Sequence, residues 1–205
     1  YHRSALHGLL WLRVIAARVC DNELVLAVDE VLANSTTFFL AVMDWPSGQV
    51  PNWGANDGTL ISNWSSSSSR DYRPLCQSLT AITRQELLFE NGPWDEEMIW
   101  FLGVSSLSLP RRKSPPVKTW VSYKNAGLHI LRLNTDVMVA LRAGSPISRY
   151  GMQADQLHVD FWHKGRNLLP DAGSYNYNKS SMLHNWFRGT GSHNTVLLDG
   201  LDQMV

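Results

Sequence analysis

A chain of 205 residues, 44% of them hydrophobic, is long enough for one large domain or two small ones with a packed core. Its 18 basic residues balance 18 acidic ones, which excludes a global field drawing it onto nucleic acid or an anionic membrane; a polyanionic ligand would need a local basic patch. Cys20 and Cys76 have neither metal-ligand spacing nor the numbers of a disulfide framework, and nine tryptophans serve either a buried core, the commoner use, or stacking on sugar rings.

From Ser4 to Val19, apolar Leu6, Leu9, Leu10, Val14 and Ala17 recur at helical spacing. Arg13 and Arg18 interrupt the longest apolar candidate, so no membrane span is expected. Asp21 or Asn22 is placed to cap a second helical region, Glu23 to Met43, which reads as two short helices or one interrupted near Asn34-Ser-Thr-Thr. Trp45 to Gly58 is turn chemistry and Ser65 to Ser69 is a serine run, together a long loop of the kind that is either functional or a flexible surface excursion. Helical spacing returns over Asp71 to Leu88, and Pro93-Trp-Asp-Glu-Glu97 has the proline and acids of a helix start running to about Leu102.

Residues 104–118, rich in Ser, Pro and basic side chains and ending in Pro115-Pro116, read as a linker. Beyond it come short runs rich in Val, Leu and aromatics: Thr119 to Tyr123, Leu128 to Leu133, Val137 to Arg142, Leu157 to His163, Asn167 to Asp171 and Thr195 to Asp199. In the fourth run, Leu157, Val159 and Phe161 alternate with His158 and Asp160, which predicts that the apolar three face the core. The fold class is therefore α+β, with a helical domain over 1–103 and an antiparallel β-domain over 119–205. Residue 1 is Tyr and the chain stops just after a strand-like run, so it reads as an excerpt of a longer protein, and the lack of a leader carries no weight.

Three segments of the β-domain carry the chemistry: Gln153-Ala-Asp-Gln-Leu-His-Val-Asp-Phe-Trp162, Leu169-Pro-Asp-Ala-Gly-Ser-Tyr-Asn-Tyr177 and Ser192-His-Asn-Thr-Val-Leu-Leu-Asp-Gly-Leu-Asp-Gln203. With Tyr1-His2-Arg3 and Pro51-Asn-Trp-Gly-Ala-Asn-Asp-Gly58 in the helical part, they resemble the heparinase II/III-like family across the whole chain. The resemblance implies the end of an α/α toroid followed by the start of an antiparallel β-sandwich, with a uronate polysaccharide in the groove between them. It implies β-elimination: a base takes the proton on C5, the 4-linked glycosidic oxygen leaves with a proton from a donor, and charge on the uronate carboxylate is neutralised.

By the same resemblance Tyr1 takes the acid or base role, with His2 and Tyr175 as further catalytic candidates. A phenol with a pKa of about 10 suits a donor, whereas the alternative is a tyrosine that merely starts a helix. Arg149 is the candidate for a bidentate grip on the carboxylate, with a surface ion pair as its alternative, and Tyr177 is a second substrate-binding candidate. Asp155 and Asp160 are either substrate or supporting groups, or turn residues.

The family's metal site would fall on Asp171, His193 and Gln153, the last standing where relatives have His, and Gly151 stands where many have another His. Zinc favours imidazole and carboxylate ligands, so an amide at 153 weakens it. One alternative is that His158 or His184 supplies the third ligand, although His158 would lie roughly 16 Å from Gln153 along an extended strand, which disfavours it. The favoured alternative is a metal-free hydrogen-bonded cluster of Gln153, Asp171 and His193. The expected function is a polysaccharide lyase acting on acidic polysaccharide or oligosaccharide, periplasmic or secreted; the alternative is a non-catalytic carbohydrate-binding or structural domain. A glycoside hydrolase is disfavoured, because Asp57, Asp95 and Glu97 offer no recognisable carboxylate pair.

Overall fold

The computed structural model describes residues 2–52, 54, 60–61, 64–113, 119–144, 153–174 and 180–203. It is α+β, and the chain divides into two compact units, Tyr1–Met43 with Gly58–Pro116, and Asp44–Asp57 with Val117–Val205. The helical unit is thus interrupted by a loop segment that belongs to the β unit.

In the helical unit, α1 (His2–Arg18) buries Leu6, His7 and Leu10 along one side, and Arg13 joins it to Asp29 of α2 at 3.1 Å. α2 (Asn22–Val42) is one continuous helix capped by Asp21, whose side chain accepts from Leu24 N at 3.0 Å. The polar stretch at 34–37 does not break it. Thr36 and Thr37 turn their hydroxyls back onto the carbonyls of Leu32 and Ala33 at 2.7 and 3.1 Å, satisfying them within the helix. α2 also corrects the reading of apolar runs: Asn22–Val42 is long and apolar enough to cross a membrane by length and composition. Here it packs among helices, with Leu32, Phe39 and Val42 buried and Leu26 and Val31 exposed.

α3 (Arg73–Arg84) opens on Pro74 and stops at Gln85, whose left-handed backbone (φ 53°) ends the helix three residues before the expected Leu88. Its buried Gln77 donates to Asp95 Oδ1 of α4 (Asp95–Leu102) at 2.6 Å and accepts from Leu88 N at 2.9 Å. Ala81, Leu87 and Met98 form a core against which Leu102 and Leu109 pack. The first part of the expected linker is ordered: Val104–Ser108 is a 3-10 helix, and Leu87 exchanges backbone hydrogen bonds with Pro110 and Arg112.

The β unit is a five-stranded antiparallel meander, in the order β1 (Trp120–Tyr123), β2 (Leu128–Arg132), β3 (Val137–Arg142), β4 (Val159–His163) and β5 (Arg166–Asn167). Register aligns Ile130 with Ala140 and Ala140 with Asp160, and likewise Arg132 with Met138 and Met138 with Trp162. Paired residues share a face, so Leu128, Ile130, Arg132, Met138, Ala140, Asp160 and Trp162 form the buried one. The face expected to be buried on β4 is therefore the other one: His158 and Asp160 are each 3% exposed, while Leu157 is 53% exposed. β4 and β5 are joined by Lys164-Gly165, both at positive φ (49° and 77°), the signature of a tight hairpin.

Two expected strands are reduced. Pro170 cannot donate to a ladder, and past Asn167 the chain leaves the sheet. Thr195 to Asp199 makes no strand, because Asp199-Gly200 (φ 52° and 73°) turns the chain back to bridge Leu198 and Leu201. A helix not anticipated, α5 (Ser181–Arg188), is capped by Ser180 and followed by the 3-10 turn Thr190–Ser192.

At the open end of the β2–β3 hairpin, a Cβ on Gly144 would stand 2.5 Å from Gly127 Cα, a clash between two backbones. Gly144→Ala is accordingly expected to cost about 1–3 kcal/mol of stability, read as a lower denaturant midpoint with unchanged slope.

Candidate functional site

The site grows from a turn that the sequence pattern did not signal. After Gln153 the chain folds back on itself: His158 N donates to Asp155 O at 3.1 Å, and Leu157 adopts a left-handed backbone (φ 60°). Arg142 locks this turn by donating to Asp155 Oδ1 at 3.0 Å, and the backbones of 142 and 157–158 extend the β3–β4 ladder. Burial raises the Asp155 carboxyl above its ordinary range in spite of the Arg142 guanidinium. Asp155 is thus an internal anchor rather than a solvent-facing turn residue.

The turn delivers His158 to Asp171 and His193, where one ligand atom from each residue lies within 4.8 Å of the other two. His158 thus belongs to the site, because the chain after Gln153 turns back rather than running extended as expected. Asp171, expected at the end of a strand, follows Pro170 outside any strand, and His193 follows the 3-10 turn. Asp171 Oδ2 lies 2.9 Å from His193 Nδ1 and 3.8 Å from His158 Nδ1. Its Oδ1 accepts from Gly173 N at 2.6 Å and from Asn52 Nδ2 at 3.1 Å. Burial alone would raise this carboxyl; the His193 hydrogen bond, the Gly173 N–H and the two imidazoles outweigh it and hold Asp171 below the usual carboxylate range.

Asp160 continues the network. Its Oδ2 lies 3.3 Å from His158 Nε2, although the ring N–H does not point squarely at it, and its Oδ1 accepts from Asn167 Nδ2. Burial works against charge on His158, but Asp160, then Asp171 and Asp155, outweigh it and raise the imidazole above its ordinary value. Asn194 braces the cluster: its N–H donates to His158 Nδ1 at 3.1 Å, and its amide donates to the carbonyls of Leu169 and Pro170 at 2.8 and 3.0 Å.

Gln153 is buried beside the same loop, yet its amide donates to Gly173 O at 3.3 Å and Ser174 Oγ at 3.5 Å. The expected hydrogen-bonded trio of Gln153, Asp171 and His193 is replaced by His158, Asp171 and His193, with Gln153 holding the backbone beyond Asp171. His2 lies exposed in the first turn of α1, its ring near those of Phe38 and Phe39. Tyr1, Arg149, Tyr175 and Tyr177 lie outside the described residues.

The site residues missed from sequence are His158 as a member of the cluster, Asn52 and Asn194, whereas Asp160 takes the supporting place that was one of its two expected roles. The only available signal was weak: His158 and Asp160 sit on one face of a strand, and Asn52 lies in a motif already singled out.

Two imidazoles and a carboxylate, with ligand atoms this close, fit a tetrahedral zinc ion that keeps one position open. His193 Nε2 is buried and has no hydrogen-bond partner among the described residues.

Residues 115–205 match the family Heparinase II/III-like, C-terminal. A heparin-sulfate lyase of Pedobacter heparinus is 33% identical over 86 residues, 40% of this chain and 13% of that protein. A heparin-sulfate lyase of Bacteroides stercoris is 27% identical over 157 residues, 70% of this chain and 23% of that protein. Among solved structures, a heparan sulfate lyase from Pedobacter heparinus superposes with a TM-score of 0.68 at 22% identity, covering 100% of this chain and 30% of that one. A crystal structure of heparinase III gives 0.60 at 16% identity, with 96% and 31% covered. The structural likenesses establish a shared fold. The chain spans less than a quarter of the length of these two curated relatives.

Proposed function

We propose, since this chain belongs to the heparinase II/III-like family through residues 115–205, that the full-length protein carrying it is a lyase cleaving uronate-containing acidic polysaccharide by β-elimination. The observation that carries this reading is the family match over 115–205, a stretch that includes the buried Asp171–His193 pair. The two heparin-sulfate lyases similar to it support a sulfated, acidic polysaccharide as substrate. Such a substrate puts the protein in the periplasm or outside the cell.

In this reaction Tyr1 donates the proton to the leaving glycosidic oxygen, and His2 and Tyr175 are the other candidates for proton transfer. Arg149 pairs with the uronate carboxylate, so that charge building there is neutralised, and Tyr177 contacts the sugar. Zinc, when bound by His158, Asp171 and His193, supplies a fixed positive charge and a rigid tie between chain segments. These three residues would hold it, and Gln153 fixes the Gly173 carbonyl and the Ser174 hydroxyl.

A second reading is favoured by Gln153 and Gly151, where relatives carry imidazoles: a carbohydrate-binding scaffold without turnover. Both are tested by incubating the full-length protein with a panel of uronate polysaccharides and following the ultraviolet absorbance of the C4–C5 unsaturated product. Product is expected with a heparan-type substrate, and Tyr1→Phe is expected to slow its formation by about 10²–10⁴-fold. Saturable binding without product from any member of the panel would replace the lyase with the scaffold.

A further inference from the structure

We infer that zinc in this chain is held by His158, Asp171 and His193, with His158 taking over the ligand position that Gln153 vacates. The inference deepens the reading above at the same site, but it stands on geometry and is tested without turnover.

The first argument is spacing. Zinc with bonds of about 2.0–2.1 Å to nitrogen and oxygen sets neighbouring ligand atoms of a tetrahedron about 3.3 Å apart. Asp171 Oδ2 stands 2.9 Å from His193 Nδ1 and 3.8 Å from His158 Nδ1, on either side of that value. Shifts of about half an ångström bring both Asp171 pairs to that spacing, and all three ligand atoms already lie within 4.8 Å of one another. Loading exchanges the Asn194 N–H bond on His158 Nδ1 for a coordinate bond.

The second argument is the surrounding shell. Metal-bound imidazoles generally donate their other ring N–H to a carboxylate, and bound carboxylates are themselves hydrogen-bonded. His158 offers that arrangement, with Nε2 at 3.3 Å from Asp160 Oδ2 and Asp160 tied in turn to Asn167. Asp171 meets it too, since Gly173 N and Asn52 Nδ2 occupy Oδ1 and leave Oδ2 toward the imidazoles. Gln153 offers neither: its amide nitrogen donates to Gly173 O and Ser174 Oγ, and its buried oxygen, which has no hydrogen-bond partner among the described residues, is a poor zinc ligand beside an imidazole because it is a neutral amide. A glutamine at 153 therefore leaves the site complete.

The test uses the full-length protein, stripped with chelator and reloaded with zinc or cobalt. Zinc stoichiometry is measured by elemental analysis, affinity by competition with a chromophoric chelator, and geometry by the visible spectrum of the cobalt form. Wild type is expected to bind one zinc and to give the intense visible bands of a four-coordinate cobalt site. His158→Ala and the polar His158→Asn are expected to lose more than about 100-fold in affinity along with those bands, and Asp160→Asn about 10–100-fold. Gln153→Ala is expected to stay within about tenfold of wild type. Circular dichroism of each metal-free protein keeps loss of fold separate from loss of ligand. Failure of the wild type to bind zinc, retention of zinc by folded His158 variants, or a loss in Gln153→Ala equal to theirs overturns the assignment.

Discussion

Asp171→Ala is expected to destabilise the β unit by about 3–5 kcal/mol and to abolish zinc binding, because it removes the one anion shared by two buried imidazoles. The Asp171 and His193 side chains are 1% and 0% exposed, so the imidazole cannot turn to water when its partner goes. His193 Nδ1 loses a 2.9 Å contact, and the Gly173 N–H and the Asn52 amide lose their acceptor. A buried group left unpaired costs about 1–3 kcal/mol, which His193 adds to the loss of the pair, whereas the part-buried Gly173 and Asn52 donors regain water. Asp171→Asn separates shape from charge: it keeps an oxygen for Gly173 and is expected to recover part of the stability but little zinc affinity. Denaturant titration of the metal-free proteins reads the first effect and chelator competition the second. A loss below about 1 kcal/mol for Asp171→Ala would mean that the imidazoles and amides find other partners and that the cluster does not hold the loops together.

What could be read in advance divides along the same physical line. Helix α1, the Asp21 cap, and strands β1 to β3 rest on local periodicity and capping, and their sequence patterns place them within a residue or two. α2 came out whole because threonines satisfied their hydroxyls within the helix, something that composition does not reveal. β4 was misread by face: its buried side carries His158 and Asp160, polar residues that are inside because they bond one another and the loops around them, whereas Leu157 is left outside. Asp171 and His193 were legible only through resemblance to a family. His158 depended on a left-handed turn at a leucine, and Asn52 reaches Asp171 across 119 residues of sequence. Neither is a local property of the chain.

The segment bearing Asn52 is itself shaped by a buried carboxylate, and Asp44→Ala should therefore cost about 3 kcal/mol while weakening zinc binding only modestly. Asp44 is fully buried; its Oδ2 accepts from Ser47 N at 3.0 Å and from the Ser47 hydroxyl, and its carbonyl accepts from Gly48 N at 2.8 Å. These bonds shape the 44–48 turn, whose Pro46 and Ser47 lie against Gly165 of the β4–β5 hairpin, where an added Cβ would come within 3.3 Å of Pro46 Cβ. The charge of Asp44 answers Arg132, a 1% exposed residue of β2: burial pulls its guanidinium down to about 10, Asp44 opposes that pull, and it stays a cation at neutral pH. Removing Asp44 leaves the Ser47 N–H and hydroxyl without their acceptor and takes away a carboxylate whose field favours the Arg132 cation. The double variant Asp44→Ala, Arg132→Met is therefore expected to be more stable than Asp44→Ala alone, although it carries one more substitution. Simple addition of the two single-variant losses would show that the pair is uncoupled and that the turn depends on the Ser47 bonds alone. Zinc affinity follows Asn52 in the same series: a tenfold or smaller loss fits a supporting role for this segment, set against the complete loss expected when Asp171 itself is removed.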